Sequence, residues 1–468
     1  MIYYGTKIQA PTSSRFKNQL ASCMYHPSIY DDTQPVPSYW EATDTRSGNG
    51  YQPLSRDAAC DVAVIGGGYT GLSAALHLAR DYDIDVRVLE AGHIGWGASG
   101  RNGGFCCLPA SRLSIQQLIK RYGLDATKRF FATQLEGMEL VALLAADENI
   151  DLDRQGDGNF TVAHHPSRFQ ALQEEAQALS SLFGIQTRVL TRSEFIEVGH
   201  DSTEQYGAMH IAAGFALNPL KFLKGLAAAT ARRGARLHPH SRVLEWVHAG
   251  GVHRLVTREA TLTARRVIVA TNGFTREGLH QAFDKMMLPA LSNIITTRPL
   301  TDEELERQKW HTSTPICNTR NLLFYYRMLP DRSFLFGARG DTTGHPKDGA
   351  RMRDWMIRRL AEVFPGWRDV PITHFWRGLV CMTRKLTPSV GQLDDDASVW
   401  YGFGYQANGV NTAPWAGMML ARHIAEPNKY VEPFPSVIHG LAPKFPFAAI
   451  RRWALRAAYA YYRIQDAR

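Results

Sequence analysis

The alternation of apolar and polar positions becomes regular at Asp61. Residues 61–65 form a short apolar run that predicts a buried strand. A glycine cluster follows, and apolar residues spaced three and four apart over 72–79 predict a helix. A second apolar run over 86–89 predicts another strand. These elements together predict a βαβ unit of about 30 residues.

The remaining chain mixes helical and strand periods. Helices are predicted over 126–148, 167–183, 219–233, 412–424 and about 447–464, and strands over 158–165, 242–247, 252–257, 262–270, 322–328 and 333–337. Residues 1–56 are rich in Pro, Ser, Tyr and Asp and show no sustained period. They predict an extended N-terminal arm rather than a domain.

The glycine cluster contains the spacing GxGxxG at Gly66, Gly68 and Gly71. It follows a predicted strand and opens a predicted helix, which is the context of a dinucleotide-binding turn. Glu90 ends the second strand, where a carboxylate accepts hydrogen bonds from an adenosine ribose and disfavours the 2′-phosphate of NADP. The alternative is a glycine-rich turn beside a surface glutamate.

A second glycine-rich loop distinguishes FAD from NAD. Residues 95–104 contain five glycines, with Ser99, Arg101 and Asn102 as side-chain donors. A short NAD unit does not require such a loop, whereas the long FAD molecule needs bare backbone beside its pyrophosphate and ring. The loop therefore favours FAD.

Four motifs resemble one family of flavoproteins. They are the turn at 66–73, the loop at 98–104, the segment at 270–273 and the turn at 402–410. In this combination they resemble the D-amino-acid oxidase superfamily of FAD-dependent oxidoreductases, in particular its glycine and sarcosine oxidase branch. The resemblance extends from about Tyr39 to the C-terminus.

The resemblance implies a fold of class α/β plus α+β. A discontinuous, Rossmann-like FAD-binding domain is combined with a substrate domain built on an antiparallel sheet. The expected bounds are 1–56 for the arm, 57–155, 206–285 and 377–468 for the FAD-binding domain, and 156–205 and 286–376 for the substrate-binding domain.

The motifs and the resemblance together give the expected cofactor-binding residues. They are Gly66, Gly68, Tyr69, Thr70, Gly71, Glu90, Ala91, Gly97, Ala98, Ser99, Gly100, Arg101, Asn102, Gly103, Gly104, Val243, Ala270, Thr271, Asn272, Gly337, Gly404, Gln406, Asn408, Gly409 and Val410. In the family, the last turn and the helix that follows it point their N–H groups at the flavin edge that becomes negative on reduction.

The substrate pocket is expected from segments that face the flavin in the family. Its candidates are Tyr325, Tyr326, Arg327, Trp376, Arg377, Met382 and Tyr405. Arg327 or Arg339 could bind a carboxylate, and the alternative is a half-buried strand with a surface arginine. No obligatory acid–base residue is expected, because the protein mainly orients the reactants and tunes the flavin. No metal is expected, because no Cys/His cluster has zinc spacing.

The implied reaction is the oxidation of a primary or secondary amine, such as a γ-glutamylated amine or an amino acid. Hydride passes to flavin N5, the imine hydrolyses, and O2 reoxidises the flavin to give H2O2. A membrane-associated dehydrogenase that reduces quinone is the alternative, and a flavoprotein of tRNA modification is a remote third. Some relatives attach FAD through a cysteine, but the spacing at Cys381 is one residue too long, so non-covalent FAD is favoured.

The charge and the cysteine content restrict the cellular compartment and the partners that we expect for this protein. The 468 residues carry 53 Lys and Arg against 44 Asp and Glu, a formal charge of +9, and six cysteines without a CxxC pair. Five arginines fall within 451–468, which favours either a docking helix or, less strongly, contact with a membrane surface. The dispersed basic residues do not favour nucleic acid, and the absence of an apolar leader favours a cytoplasmic protein.

Overall fold

The computed structural model describes residues 24–45, 50–429 and 432–467. Its strands are β1 Ala58–Ile65, β2 Val86–Leu89, β3 Phe105–Cys106, β4 Asn159–Val162, β5 Thr187–Leu190, β6 Ala208–Ile211, β7 Phe215–Ala216, β8 Arg236–His238, β9 Glu245–Ala249, β10 Val252–Val256, β11 Thr261–Val269, β12 Leu288–Pro299, β13 Ile316–Asn318, β14 Phe324–Met328, β15 Ser333–Arg339, β16 Ile372–Met382, β17 Ser389–Gln392 and β18 Val399–Phe403.

The helices alternate with these strands. They are α1 Tyr39–Thr43, α2 Tyr69–Tyr82, α3 Ile115–Tyr122, α4 Leu124–Asp147, α5 Phe169–Phe183, α6 Arg192–Val198, α7 Pro219–Arg232, α8 Asp302–Arg307, α9 Pro346–Val363, α10 Gly409–Ala425 and α11 Arg451–Asp466. The predicted helices and strands are confirmed, with ends that move by a few residues.

The first sheet has the strand order β17-β18-β11-β1-β2-β8, and the β9–β10 pair joins it at β11. The five strands from β18 to β8 are parallel. Helices α2, α7 and α10 pack together beside this sheet, and their apolar faces form its largest core. The carboxyl ends of β1, β2, β11 and β18 lie along one edge, so the loops that follow them meet there.

The second sheet has the order β16-β12-β15-β14-β13-β4-β6-β5, and only its β13–β4 pair is parallel. Aromatic side chains, including Trp310, Phe334 and Trp367, pack beneath one face as a separate core. The predicted combination of a Rossmann-like unit with a mostly antiparallel sheet is confirmed.

Two segments pair differently from the expected domain bounds. Strand β6 belongs to the second sheet, although 206–285 was assigned to the cofactor domain. Strand β16 also stays in the second sheet through Met382, five residues beyond the expected boundary at 377. Long-range strand pairing sets these limits, and it leaves no local mark in the sequence. The division into domains remains a prediction.

The N-terminal arm is partly ordered against the body, while 1–23 and 46–49 lie outside the described residues. Helix α1 is capped by the Ser38 hydroxyl and buries Trp40, which is 1% exposed. At the other end of the chain, α11 buries Leu455 and Tyr459. Within the described ranges no helix is long and apolar enough to span a bilayer.

Candidate cofactor and substrate site

A cavity of about 1110 Å³ lies between the carboxyl edge of the first sheet and one face of the second. Its first-sheet side is formed by the loops after β1, β2, β11 and β18, and its second-sheet side includes Ser292, Ile294 and Tyr325. Its volume exceeds the ~300–1,000 Å³ range of small-molecule sites, so it has room for a large cofactor together with a small substrate.

The glycine turn after β1 is too tight for side chains. A Cβ on Gly71 would lie 2.0 Å from the Gly66 carbonyl oxygen, and one on Gly66 would lie 2.7 Å from the Ala270 oxygen. Gly66 also has φ +109°, a conformation that other residues rarely adopt. The turn therefore keeps bare backbone at the start of α2, as a pyrophosphate requires.

Glu90 holds this turn from the end of β2. Its carboxylate accepts hydrogen bonds from the N–H groups of Gly67 at 2.7 Å and Gly92 at 3.0 Å. Burial raises the pKa of Glu90, and these two donors act in the opposite direction. Glu90 and Val243 both line the cavity, which agrees with their expected place beside the adenosine.

Three successive carbonyls of the second glycine loop, 101–103, are each bound by a buried donor from elsewhere in the chain. The indole N–H of Trp376 donates to the first at 2.8 Å, and that of Trp40 donates to the second at 2.9 Å. Arg327 Nε donates to the third at 3.0 Å, and its Nη2 donates to the Leu217 carbonyl at 2.7 Å. These contacts fix the course of the loop along the cavity.

Arg101 lies in this loop and lines the cavity. Its Nε donates to the Trp96 carbonyl at 2.5 Å and its Nη1 to the Arg377 carbonyl at 3.2 Å. Burial lowers the pKa of Arg101 to about 10. The cation is thus held by carbonyls, and no carboxylate of the described chain forms an ion pair with it.

The turn after β18 is joined to the turn after β11. The Gly404 N–H donates to Asn272 Oδ1 at 2.9 Å. Gln406 donates through Nε2 to the Gly404 carbonyl at 2.7 Å, while its Oε1 is buried without a hydrogen-bond partner. Asn408 follows at the N-cap position of α10, where its side chain makes no capping hydrogen bond and its Nδ2 donates to the Pro109 carbonyl at 3.2 Å. An unpartnered buried oxygen at this edge fits a ligand that carries its own donors.

On the second-sheet side, cross-strand neighbours on one face line the cavity. Tyr325 on β14 lies opposite Gly337 on β15, and a Cβ on Gly337 would fall 2.1 Å from the Tyr325 ring. The ring occupies the space that the glycine leaves. The Tyr325 hydroxyl and the Ser292 hydroxyl are 2.8 Å apart, and Ser292 lies opposite Arg339. Tyr325, Ser292 and Arg339 therefore share the cavity face.

Several residues that were predicted for the pocket lie outside the cavity. Tyr326 points to the opposite face of β14, into the aromatic core, and its hydroxyl is 3.2 Å from His200 Nε2. Arg327 and Trp376 are buried donors to the glycine loop. Met382 packs beside α11 rather than in the cavity.

Arg377 does not line the cavity, and its guanidinium group forms an ion pair with Asp341 at 2.8 Å. The strand pattern alone does not say which face of β14 meets the cavity. Tyr325 and Tyr405 do line it, as predicted, and the Tyr405 hydroxyl lies 2.6 Å from Thr70 Oγ1.

The expected cofactor-binding residues line the cavity with five exceptions, all glycines. These are Gly71, Gly100, Gly104, Gly337 and Gly404, which allow close backbone or ring packing behind the surface. Three residues contribute to the site that were not predicted from the sequence. They are Trp40, Ser292 and Arg112, and no local pattern marks them.

The thiols of the cysteines near the site are buried, and burial raises their pKa. Cys381 lines the cavity, with Sγ 3.5 Å from Met287 Sδ, and burial raises its pKa to about 12. Burial also raises the pKa of Cys107 to about 11.

Outside the cavity, the side chains of His248, His253 and Asp396 lie close together. Both ring nitrogens of His253 are hydrogen-bonded, to Trp246 and Ser398, so this group does not present three free ligands.

These features fit FAD. They are a turn of bare backbone at the start of a helix, a carboxylate after β2, a glycine loop whose carbonyls accept from three buried donors, and a cavity that continues to one face of the second sheet. Comparison with known proteins gives the same class. The model of the FAD dependent oxidoreductase family matches residues 61–423, and the chain belongs to that family. The protein is an FAD-dependent oxidoreductase.

Individual relatives are also similar over most of their length. The chain is 31% identical over 443 residues to gamma-glutamylputrescine oxidoreductase of Escherichia coli (strain K12), covering 93% of this chain and 99% of that protein. Glycine oxidase from Geobacillus kaustophilus superposes with a TM-score of 0.65 at 20% identity, over 80% of this chain and 96% of that one. L-proline dehydrogenase from P. horikoshii superposes with a TM-score of 0.64 at 17% identity, over 80% and 96%.

Proposed function

We propose that this protein oxidises the C–N bond of an amine that carries a γ-glutamyl group, and that O2 is its electron acceptor. The observation that carries the proposal is the single cavity that joins the glycine turn to the Tyr325–Ser292 face. The similarity to gamma-glutamylputrescine oxidoreductase supports the γ-glutamyl substrate.

The chemistry requires orientation more than proton transfer. FAD, when bound, supplies the two-electron acceptor for the hydride on the carbon next to nitrogen. Strands β12–β16 contribute no acidic or histidine side chain to the cavity among the described residues. The Tyr325 ring and the Ser292 hydroxyl therefore act by positioning a neutral amine and excluding water.

The assigned cofactor contacts follow from this proposal. The turn at 66–71 and the loop at 97–104 hold the pyrophosphate, Glu90 holds the ribose, and the turn at 404–410 with the start of α10 faces the polar flavin edge. We further propose that FAD is bound non-covalently, because the Cys381 thiol is buried beside Met287 with a raised pKa. Acid precipitation should leave FAD in the supernatant; flavin in the pellet would contradict this.

An anaerobic experiment tests the reaction. Purified holoenzyme is mixed with γ-glutamylputrescine, putrescine, sarcosine, glycine or L-proline, and loss of flavin absorbance is followed. We expect rapid bleaching by the γ-glutamylated amine, and H2O2 formation when air is admitted. The proposal fails if no amine bleaches the flavin while dithionite does, since the cofactor would then be competent but the substrate class wrong.

One feature of the structure favours a membrane quinone as the electron acceptor in place of O2. The outer face of α11 and the turn before it expose Phe447, Ile450, Trp453, Tyr461 and Ile464, each more than half accessible, among several arginines. Such a face suits the surface of an anionic membrane, where a quinone would be reduced. Slow O2 uptake together with fast reduction of a soluble quinone, and co-sedimentation with anionic vesicles, would favour this dehydrogenase over the oxidase.

A further inference from the structure

The first described residues of the N-terminal arm are attached to the second sheet. Tyr25 and Ile29 are 3% and 8% exposed, and they pack with Leu291 of β12 and Leu379 of β16 in one small apolar cluster. The Tyr25 hydroxyl also donates to the Pro289 carbonyl of β12 at 2.7 Å. Apolar burial and a buried hydrogen bond therefore fix this end of the arm to the second sheet.

A few residues later the arm meets the loops of the first sheet. The Asp32 carboxylate and the Arg242 guanidinium group form an ion pair at 2.5 Å, and a Cβ on Gly92 would lie 3.2 Å from the Asp32 Cβ. Gly92 lies two residues beyond Glu90, and Arg242 directly precedes Val243. The arm is thus joined to the two segments that line the half of the cavity proposed for the adenosine.

The same stretch of the arm forms part of the cavity wall. Residues 27–33 all line the cavity except Ile29. The Tyr30 ring meets the ring of Phe274, another cavity residue, edge to face with centroids 6.5 Å apart. This wall precedes the matched family region, which begins at residue 61. A dinucleotide held by the glycine turn and Glu90 would therefore have the arm along one side.

We propose that arm residues 27–33 are a movable wall of the adenosine half of the FAD site, and that the Asp32–Arg242 ion pair is the latch that holds this wall closed. The two side chains are 16% and 28% exposed, and an ion pair that water reaches contributes little free energy. The latch therefore opens and closes while the arm stays attached to the second sheet, and FAD leaves only while the latch is open. The proposal rests on the cofactor contacts proposed above and does not depend on the substrate.

The rate of FAD release tests the latch. Holoenzyme is diluted in the absence of any amine, and release is followed as the rise in flavin fluorescence. Asp32→Ala and Arg242→Ala should each release FAD about two- to fivefold faster, which is the range expected for the loss of a partly exposed ion pair. The double variant should release FAD no faster than either single variant, because both changes break the same contact. Additive effects would overturn the assignment of these two residues to one latch.

The signs of the two effects separate a latch from a direct action of charge on FAD. Without a latch, loss of the Asp32 carboxylate would slow the release of the anionic cofactor, and loss of the Arg242 cation would speed it. Opposite effects of the two variants would therefore overturn the proposal, and so would unchanged release in both.

Arg298→Ala is the matched control for the loss of an ion pair. Arg298 pairs with Glu304 at 2.7 Å, the two side chains are 37% and 11% exposed, and neither residue lines the cavity. Its FAD release should equal that of the wild type. Equal acceleration in this variant and in Asp32→Ala would show a general loss of stability and overturn the latch.

Hydrogen exchange gives a second readout. If the arm closes on FAD, the same coupling makes FAD protect the arm. The segment 24–33, in which the N–H groups of Ile29 and Tyr30 donate to backbone carbonyls at 3.0 and 2.9 Å, should exchange more slowly in holoenzyme than in apoprotein. Helix α5, which does not line the cavity, should exchange equally in both forms. Equal exchange of the arm with and without FAD would overturn the proposal.

Failure of the proposed function has a different signature. If no amine bleaches the flavin but both latch variants release FAD faster, the amine oxidation is wrong and the latch stands. If γ-glutamylputrescine bleaches the flavin while both variants release FAD at the wild-type rate, the latch is wrong and the proposed function stands.

Discussion

The contact between Trp376 and the glycine loop allows a sharp test of how the cofactor loop is held. Trp376→Phe removes the indole N–H that donates to the Arg101 carbonyl at 2.8 Å and keeps most of the ring. The side chain is 2% exposed, so water does not readily replace the donor. A buried acceptor left unpaired costs about 1–3 kcal/mol.

That cost becomes a loss of cofactor affinity if FAD binds only the fixed loop. The free energy of the binding-competent loop conformation would rise by the same amount, so this conformation would be less populated. The apparent Kd for FAD would then rise about 5- to 150-fold. The assay is titration of the apoprotein with FAD by flavin fluorescence quenching. Urea unfolding of the apoprotein measures the accompanying loss of stability.

Trp367→Phe is the matched control. Its indole N–H also donates to a carbonyl at 2.8 Å, that of Glu304, and Trp367 is fully buried, but it lies in the aromatic core of the second sheet away from the cavity. It should lose a similar unfolding free energy while FAD affinity stays within about twofold. Equal changes in FAD affinity for both variants would refute a specific role for Trp376 in the loop.

Three further changes have defined outcomes. Gly71→Ala places a Cβ 2.0 Å from the Gly66 oxygen, so the protein should purify without flavin colour; full FAD content would contradict the assigned turn. Burial lowers the pKa of Lys385 from 10.5 to about 7. Between pH 7 and 10.5 the unfolded chain therefore binds one more proton than the folded protein, so the free energy of unfolding should rise with pH over this range. Lys385→Met should flatten this rise in urea titrations at pH 7 to 10. Tyr325→Phe removes the hydroxyl bonded to Ser292, and should lower kcat/KM about fivefold without changing FAD content.

The half of the cavity that we propose for the cofactor has features that the sequence predicts. Glycine spacing, the strand before it and the acid at Glu90 are local features, and a Cβ at Gly66 or Gly71 has no room in the structure. Each constraint acts within a few residues, so a single sequence carries it.

The substrate half was less predictable. Neighbours Tyr325 and Tyr326 differ only by the face of β14 on which they lie, and that face is set by pairing with β15 and β13. The role of Arg327 depends on the carbonyls of Gly103 and Leu217, which belong to other segments. The pattern of residues along the chain does not show which arginine donates to a backbone carbonyl and which arginine lines a cavity.

The three donors to the glycine loop also affect the order of folding. They lie 62, 275 and 224 positions along the chain from the carbonyls that they bind. Contacts over such separations form late, because the intervening chain must first be arranged. A nascent chain would therefore display the βαβ unit early and yet retain FAD only after the second sheet has been synthesised and packed. Flavin supply during expression should accordingly change the yield of finished enzyme more than the early steps of its folding.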